Sequence, residues 1–412
     1  METKFNYQEE FKHDCSKYDF QYIPDSISPT SRTIAIGDIH GDLQLAIDFL
    51  IVAKCIQLYN PNNDQIKENQ TISINNQKYF WSGNNTQVVQ VGDQVDRCRL
   101  DNCEQPNTTI NDEASDIKIL KFYSDVNKLA MSKGGRVISL LGNHELMNVM
   151  GNLNYVSFMG LLEFNKNVDM SNVNISTYIN MDKPELNDVI NSGLQNRKNI
   201  FSNNFKGERK EALNEYLACS RTSAIIIGDL LFVHGGLIKK MAEAYNIVDL
   251  NRIVRKWLLG NFNDDTNKKI LYTNQETEKV SNDNISFSTK SRLHEILKSK
   301  NSIFWNRILG YLESDKNTKN LSIDKQKRSN ENCDKILKEM FQTVNINGIV
   351  IGHTPQMSEK NNGINSACNE RVWRVDIGAS TAFDMFRTTK RNIQVLEIKY
   401  DEQQKPRFNI LS

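Results

Sequence analysis

Four short apolar runs in this chain stop in the same unusual way. IAIGDIHGD (34–42), VVQVGDQVDR (88–97), RVISLLGNHE (136–145) and LLFVHGG (230–236) each pass from aliphatic residues straight into acids, amides or histidine. A turn needs only Gly or Asn there, and a helix start needs only a cap. GIVIGHT (348–354) ends in the same manner. Strands with chemistry at their ends are useful only if those ends converge. The pattern therefore asks for neighbouring strands opening to one edge, the place where α/β sheets bind ligands.

The stretches between agree with that demand. TIAIG (33–37) reads as a strand, and LQLAIDFLIVAKC (43–55) as a helix by its apolar period. TISINNQKYFW (71–81) predicts a hairpin turning at its Asn pair, and VVQV (88–91) a buried strand. DEASDIKILKFYSDVNKLAMSKGG (112–135) predicts an amphipathic helix ended by Gly134 and Gly135, before the strand RVISL. Strands and helices alternate up to residue 150, so the class is α/β. Residues 155–220 lose the strand signal and read as a helical, loop-rich insertion. Two strands broken at Gly228-Asp229 follow within 224–236, and three more lie in 348–354, 371–380 and 392–400. The polar stretches 261–290 and 313–333 read as loops. The organisation expected is an N-terminal extension (1–30), one catalytic domain (31–400) and a tail (401–412).

Bulk properties exclude some function classes. With 51 basic against 50 acidic residues, net charge +1, no nucleic-acid partner is expected. The N-terminus METKFNYQEEFKHDC lacks an apolar signal segment, and no run is long enough to span a membrane. Seven scattered cysteines suit a reducing compartment, so a cytoplasmic protein is expected. Oligomeric state is not legible.

The strand ends carry a metal-type donor set. Asp38 and His40 are two apart and share a face in an extended segment. Asp93, Asn143, His144, His234 and His353 follow the other strands, and four of the six histidines fall at these positions. Carboxylate, imidazole and amide together suit Mn, Fe or Zn. Two such ions would make a nucleophile of water and polarise a phosphoryl group. Asp93, central in the order of motifs, is the natural bridge. His144 could protonate the leaving oxygen if Asp96 orients its other nitrogen. Arg97 and a second arginine, Arg307 in SIFWNR (302–307), would hold phosphate oxygens, with Arg221 as the rival to Arg307. Each motif alone could be a capped turn; all together point to one site.

GDIHGD, GDQVDR, GNHE, HGG and GHT together resemble the calcineurin-like metallophosphoesterases, and the GDxxDR form resembles their phosphoprotein phosphatase branch. GNHELMNVMGNLNYVS (142–157) and IGDLLFVHGGL (227–237) look like the bacterial-type group called Shewanella-like protein phosphatases. The resemblance implies two mixed β-sheets sandwiched and flanked by helices, with a helical cap insertion. It implies one divalent metal on Asp38, His40 and Asp93, and a second on Asp93, Asn143, His234 and His353, with Mn favoured over Fe or Zn. It also implies His144 as general acid partnered by Asp96, and Arg97 and Asn143 near the phosphate. The expected activity is hydrolysis of a phosphoprotein or phosphopeptide by in-line attack of a metal-bridging hydroxide. Two other activities remain in view: a dinucleoside tetraphosphate or nucleotide pyrophosphohydrolase, and a phosphopeptide-binding relative without turnover. Cys98 stands where the family's glycine follows the arginine. Cys98 and Cys103 read as free thiols, with a redox disulfide as the sharper alternative.

Overall fold

Alternation within single strands sorts side chains onto two faces, and here both faces are covered. In Leu230–Val233, Phe232 joins one apolar cluster while Leu231 and Val233 join another. Gly348–Ile351 does the same, with Val350 on one side and Ile349 and Ile351 on the other. Strands buried at every residue need layers on both sides. The computed structural model supplies them. It describes residues 6–62, 66–109, 111–205, 211–263, 291–359, 361–387, 391–403 and 405–412.

The first sheet has the order Pro406–Leu411, Val395–Tyr400, Arg32–Ile36, Gln87–Gln90, Arg136–Ser139. Its last three strands run parallel, with Ala35 opposite Val89 and Val89 opposite Ile138. The second has the order Ser26–Ile27, Ala224–Ile227, Leu230–Val233, Gly348–Ile351, Val372–Arg374, Asn365–Ala367. There Phe232 pairs with Val350 and Val350 with Trp373 in parallel register. Ile34, Ile36 and Val88 of the first sheet share a core with Phe232, Val350 and Val375 beside the second. Helices Leu43–Val52 and Asp116–Met131 contribute to that same core. Helices Leu213–Ser220, Ile247–Leu258 and Ile323–Val344 cover the outer face of the second sheet. The architecture is the expected two-sheet α/β sandwich.

The hairpin turns at Asn75 and Asn76, both at positive φ (47° and 59°), as a two-residue primed turn requires. Residues 155–220 hold the helices Phe158–Leu162, Ile175–Ile179, Lys183–Phe201 and Leu213–Ser220. Among the described residues no helix is long and apolar enough to cross a membrane.

Three sequence expectations need correction. The polar stretch 313–333 is not a loop: it holds the helix Asp315–Thr318 and the first half of Ile323–Val344. The buried residues of the longer helix are Cys333, Leu337, Met340 and Phe341, so its polar N-terminal half concealed the helical period. Of the other polar stretch, 264–290 lies outside the described residues. The expected tail carries the edge strand Pro406–Leu411. Six cysteines are paired, Cys15–Cys219, Cys98–Cys103 and Cys333–Cys368, leaving Cys55 free and buried. Two of these pairs are 204 and 35 residues apart, a separation that no local spacing signals.

Candidate metal centre and active site

The parallel strands of both sheets bring their carboxyl ends to one edge. Asp38 and His40 follow Arg32–Ile36, Asp93 and Asp96 follow Gln87–Gln90, and Asn143 and His144 open the helix after Arg136–Ser139. His234 and His353 follow Leu230–Val233 and Gly348–Ile351. His40, Asp93, Asp96 and His353 all have positive φ, between 48° and 73°. Such conformations cost on the order of 1–3 kcal/mol each and persist only where the surroundings enforce them. Glu145 is one enforcer: its buried carboxylate accepts from the backbone N–H of Gly142 (2.6 Å), Asp93 (3.1 Å) and Gln94 (2.7 Å). Two glycines permit the close approach. A Cβ on Gly142 would stand 2.1 Å from Asp93 Oδ1, and one on Gly352 would stand 2.4 Å from Asp38 Oδ1.

Two groups of donor atoms result, each with its members within 4.8 Å of one another: His40, Asp93 and His144; and Asp93, His234 and His353. Asp93 belongs to both. His40 Nε2 lies 3.7 Å from Asp38 Oδ2 and 3.9 Å from Asp93 Oδ2. His234 Nε2 lies 3.3 Å from Asp93 Oδ2 and 3.0 Å from Asn143 Oδ1. Behind the rings, His234 Nδ1 meets Val91 O at 2.9 Å and His40 Nδ1 meets Val95 O at 3.4 Å. Those contacts turn each Nε2 toward the acids, the usual arrangement behind metal-binding imidazoles.

The electrostatics call for cations. Burial, then Asp376 and Asp93, push the Asp38 carboxyl well above its usual range. Burial would raise Asp93 too, but His234 and His144 hold it well below. His40 is driven down by burial and then Arg99, and His353 by burial and then His234. Burial opposes protonation of His234, yet Asp93 raises it. His353 Nε2 and Asp376 Oδ2 are buried without a hydrogen-bond partner among the described residues. An orphaned imidazole nitrogen and carboxylate oxygen beside Asp38 and Asp93 suit divalent cations. The residues present fit the metals that the motifs implied.

His144 is held differently from the other histidines. Its Nδ1 lies 2.7 Å from Asp96 Oδ2, and its Nε2 3.8 Å from Asp93 Oδ2. The other oxygen of Asp96 accepts from Asn148 Nδ2 (2.9 Å) and from Arg197 (3.2 Å). Asp96 is thus fixed from behind, and the ring it orients faces the cluster.

The three arginines singled out by the sequence differ in their surroundings. Arg97 is committed to structure: it donates to Gly41 O (2.7 Å) and Asn111 O (3.2 Å), with Asp42 and Glu113 nearby. Arg221 is buried and bonds Gln94 and Leu120 O, away from solvent. Arg307 is half-buried and donates to His353 O at 2.6 Å, beside the cluster. Sequence reasoning missed three contributors. Arg197, fully buried in the helix Lys183–Phe201, also donates to Asp116 (2.7 Å), Asn148 Oδ1 (2.7 Å) and Gly160 O (3.0 Å). Glu145 organises the Asp93 loop. Asp376, in RVDIGAS, ends an apolar run as the other site acids do, and that signal could have found it.

A sandwich with histidines, acids and an amide gathered on one shared aspartate defines a hydrolase of phosphate esters. More narrowly, a family model described as calcineurin-like phosphoesterase matches residues 31–357, and the chain belongs to that family. An uncharacterized protein of Acanthamoeba polyphaga mimivirus is 32% identical over 68% of this chain and 95% of its own. Shewanella-like protein phosphatase 2 of Arabidopsis thaliana is 26% identical over 85% of this chain and 71% of its own. Among solved structures, a mutant cold-active protein tyrosine phosphatase matches with TM-score 0.51 and 18% identity, covering 100% of this chain and 86% of that one. That likeness speaks for the fold.

Proposed function

We propose that this chain is a metal-dependent protein phosphatase with a dinuclear centre. The observation that carries the reading is Asp93, shared by two groups of donor atoms. On this reading Asp38 and His40 hold one divalent cation with Asp93, while Asn143, His234 and His353 hold the other. Mn is favoured, and Fe or Zn would suit the same donors. Two cations held there would activate water for in-line attack and polarise the phosphoryl group. His144 gives its proton to the leaving oxygen, and Asp96 keeps the imidazole oriented and stabilises its charged form. Arg307, which donates to His353 O, would meet a phosphoryl oxygen. No phosphoenzyme is required. The relative named Shewanella-like protein phosphatase 2 supports a phosphoprotein substrate. The three disulfides favour an oxidising compartment over the cytoplasm first expected.

The test compares initial rates, with Mn²⁺ supplied, on phosphoserine, phosphothreonine and phosphotyrosine peptides and on diadenosine tetraphosphate. Asp93→Asn controls for contaminating activity. Peptide turnover lost in the control is the expected result. Turnover of the dinucleotide alone would overturn the substrate, and intact metal binding with no turnover would favour a phosphopeptide-binding protein.

A further inference from the structure

We propose that Arg99 grips the substrate phosphate; this rests on the phosphatase reading above. Arg97 has both terminal nitrogens on the protein's own backbone. Arg99 is arranged the other way. Its guanidinium carbon sits 5.0 Å from the ring centre of Phe383 and 5.5 Å from that of Tyr155. Phe383 packs on His40 (5.5 Å), Tyr155 packs on His144 (5.0 Å), and the two imidazoles are 4.9 Å apart. The five groups close a ring of contacts, so the guanidinium stands between two aromatic rings that pack on the donor histidines.

Its hydrogen bonds leave one arm open. One terminal nitrogen donates to Asp96 O (3.1 Å) and Cys98 O (2.6 Å). The other is buried and has no partner among the described residues, and no carboxylate forms an ion pair with it there. A buried guanidinium nitrogen without an acceptor is costly, so it marks a place where an acceptor arrives. Burial pushes this guanidinium's pKa down, while Asp93, Asp96, Asp376 and Asp38 oppose that shift. Once cations neutralise the cluster, the anion left for Arg99 is the phosphoryl group itself.

The backbone on either side is tethered. Cys98 donates its N–H to Tyr155 O (3.1 Å), and the Cys98–Cys103 disulfide closes a loop that begins at the residue before Arg99. The cysteine that replaces the family's glycine thus belongs to the device that aims Arg99. Aromatic rings restrain the guanidinium's swing without competing for its N–H groups.

The experiment is calorimetric titration of inorganic phosphate into the Mn²⁺-loaded full chain, comparing wild type with Arg99→Ala and Arg99→Gln, with Mn content measured on each. A charge-assisted hydrogen bond predicts a phosphate Kd weaker by roughly 10- to 100-fold at unchanged Mn content. KM for an aryl phosphate should rise more than kcat falls. A Kd within twofold of wild type would overturn the proposal, as would loss of Mn in both variants, which would make Arg99 a structural support. Wild type that binds phosphate yet hydrolyses no ester would sink the phosphatase reading alone, and the binding comparison would still decide Arg99.

Discussion

Replacing Arg197 by methionine removes a cation from a fully buried polar cluster beside Asp96. Its guanidinium is wholly buried between Phe164 and Phe201, with its carbon 4.8 and 5.2 Å from their ring centres. It bonds Asp96, Asp116, Asn148 and Gly160 O. Methionine fills much of the volume but leaves two buried carboxylates facing each other. Breaking a buried pair from one side costs about 3–5 kcal/mol, and removing the second charge as well returns part of it. Urea unfolding should therefore find Arg197→Met destabilised by about 3–5 kcal/mol, and the double variant with Asp116→Asn less so. Asp116 already titrates above its usual range through burial, with Arg197 opposing. Without Arg197 its folded pKa rises further above the unfolded one. Stability then increases as pH falls through that raised value, so the penalty is smaller at pH 5 than at pH 8. Asp96 also loses a restraint, so kcat should drop by about tenfold or more while KM holds. A loss below about 1 kcal/mol, or one unaffected by Asp116→Asn, would mean that the buried carboxylates do not depend on Arg197.

His144→Asn should slow a phosphoserine peptide by roughly 10²- to 10⁴-fold but p-nitrophenyl phosphate far less, because nitrophenolate leaves without a proton. Equal losses on both would argue against a general acid. Thiol titration should find no reactive cysteine in the native chain. One should appear after unfolding without reductant and seven after reduction, because Cys55 is buried with its pKa pushed up to about 12. Rapid native labelling of several thiols would contradict the three pairs. Gly352→Ala puts a methyl 2.4 Å from Asp38 Oδ1 and should lower Mn content; full occupancy would show that Asp38 can shift freely.

How much of this was legible depended on whether the chemistry was local. Metal ligands are compressed into GDIHGD, GDQVDR, GNHE, HGG and GHT because each strand end offers only two or three residues to the edge, so the donor set could be read directly. The apolar run ending at Val233 likewise read as a strand, and the structure covers it on both faces. Arg197 could not be read, since a lone arginine in an ordinary amphipathic helix carries no mark of its burial beside Asp96. The surroundings of Arg97 were hidden for a related reason: its motif is local, but the carbonyls of Gly41 and Asn111 that it meets are contributed by other segments. Disulfides spanning 204 and 35 residues are set by tertiary packing alone.

If Asp93 serves both donor groups, two divalent cations bind in one centre and both depend on its carboxylate. Calorimetric titration of Mn²⁺ into the metal-stripped protein, wild type against Asp93→Asn, tests it most directly. Two Mn²⁺ per wild-type chain, both weakened by the substitution, is the predicted result. One Mn²⁺ per chain, or a second site that keeps wild-type affinity without the Asp93 carboxylate, would contradict it.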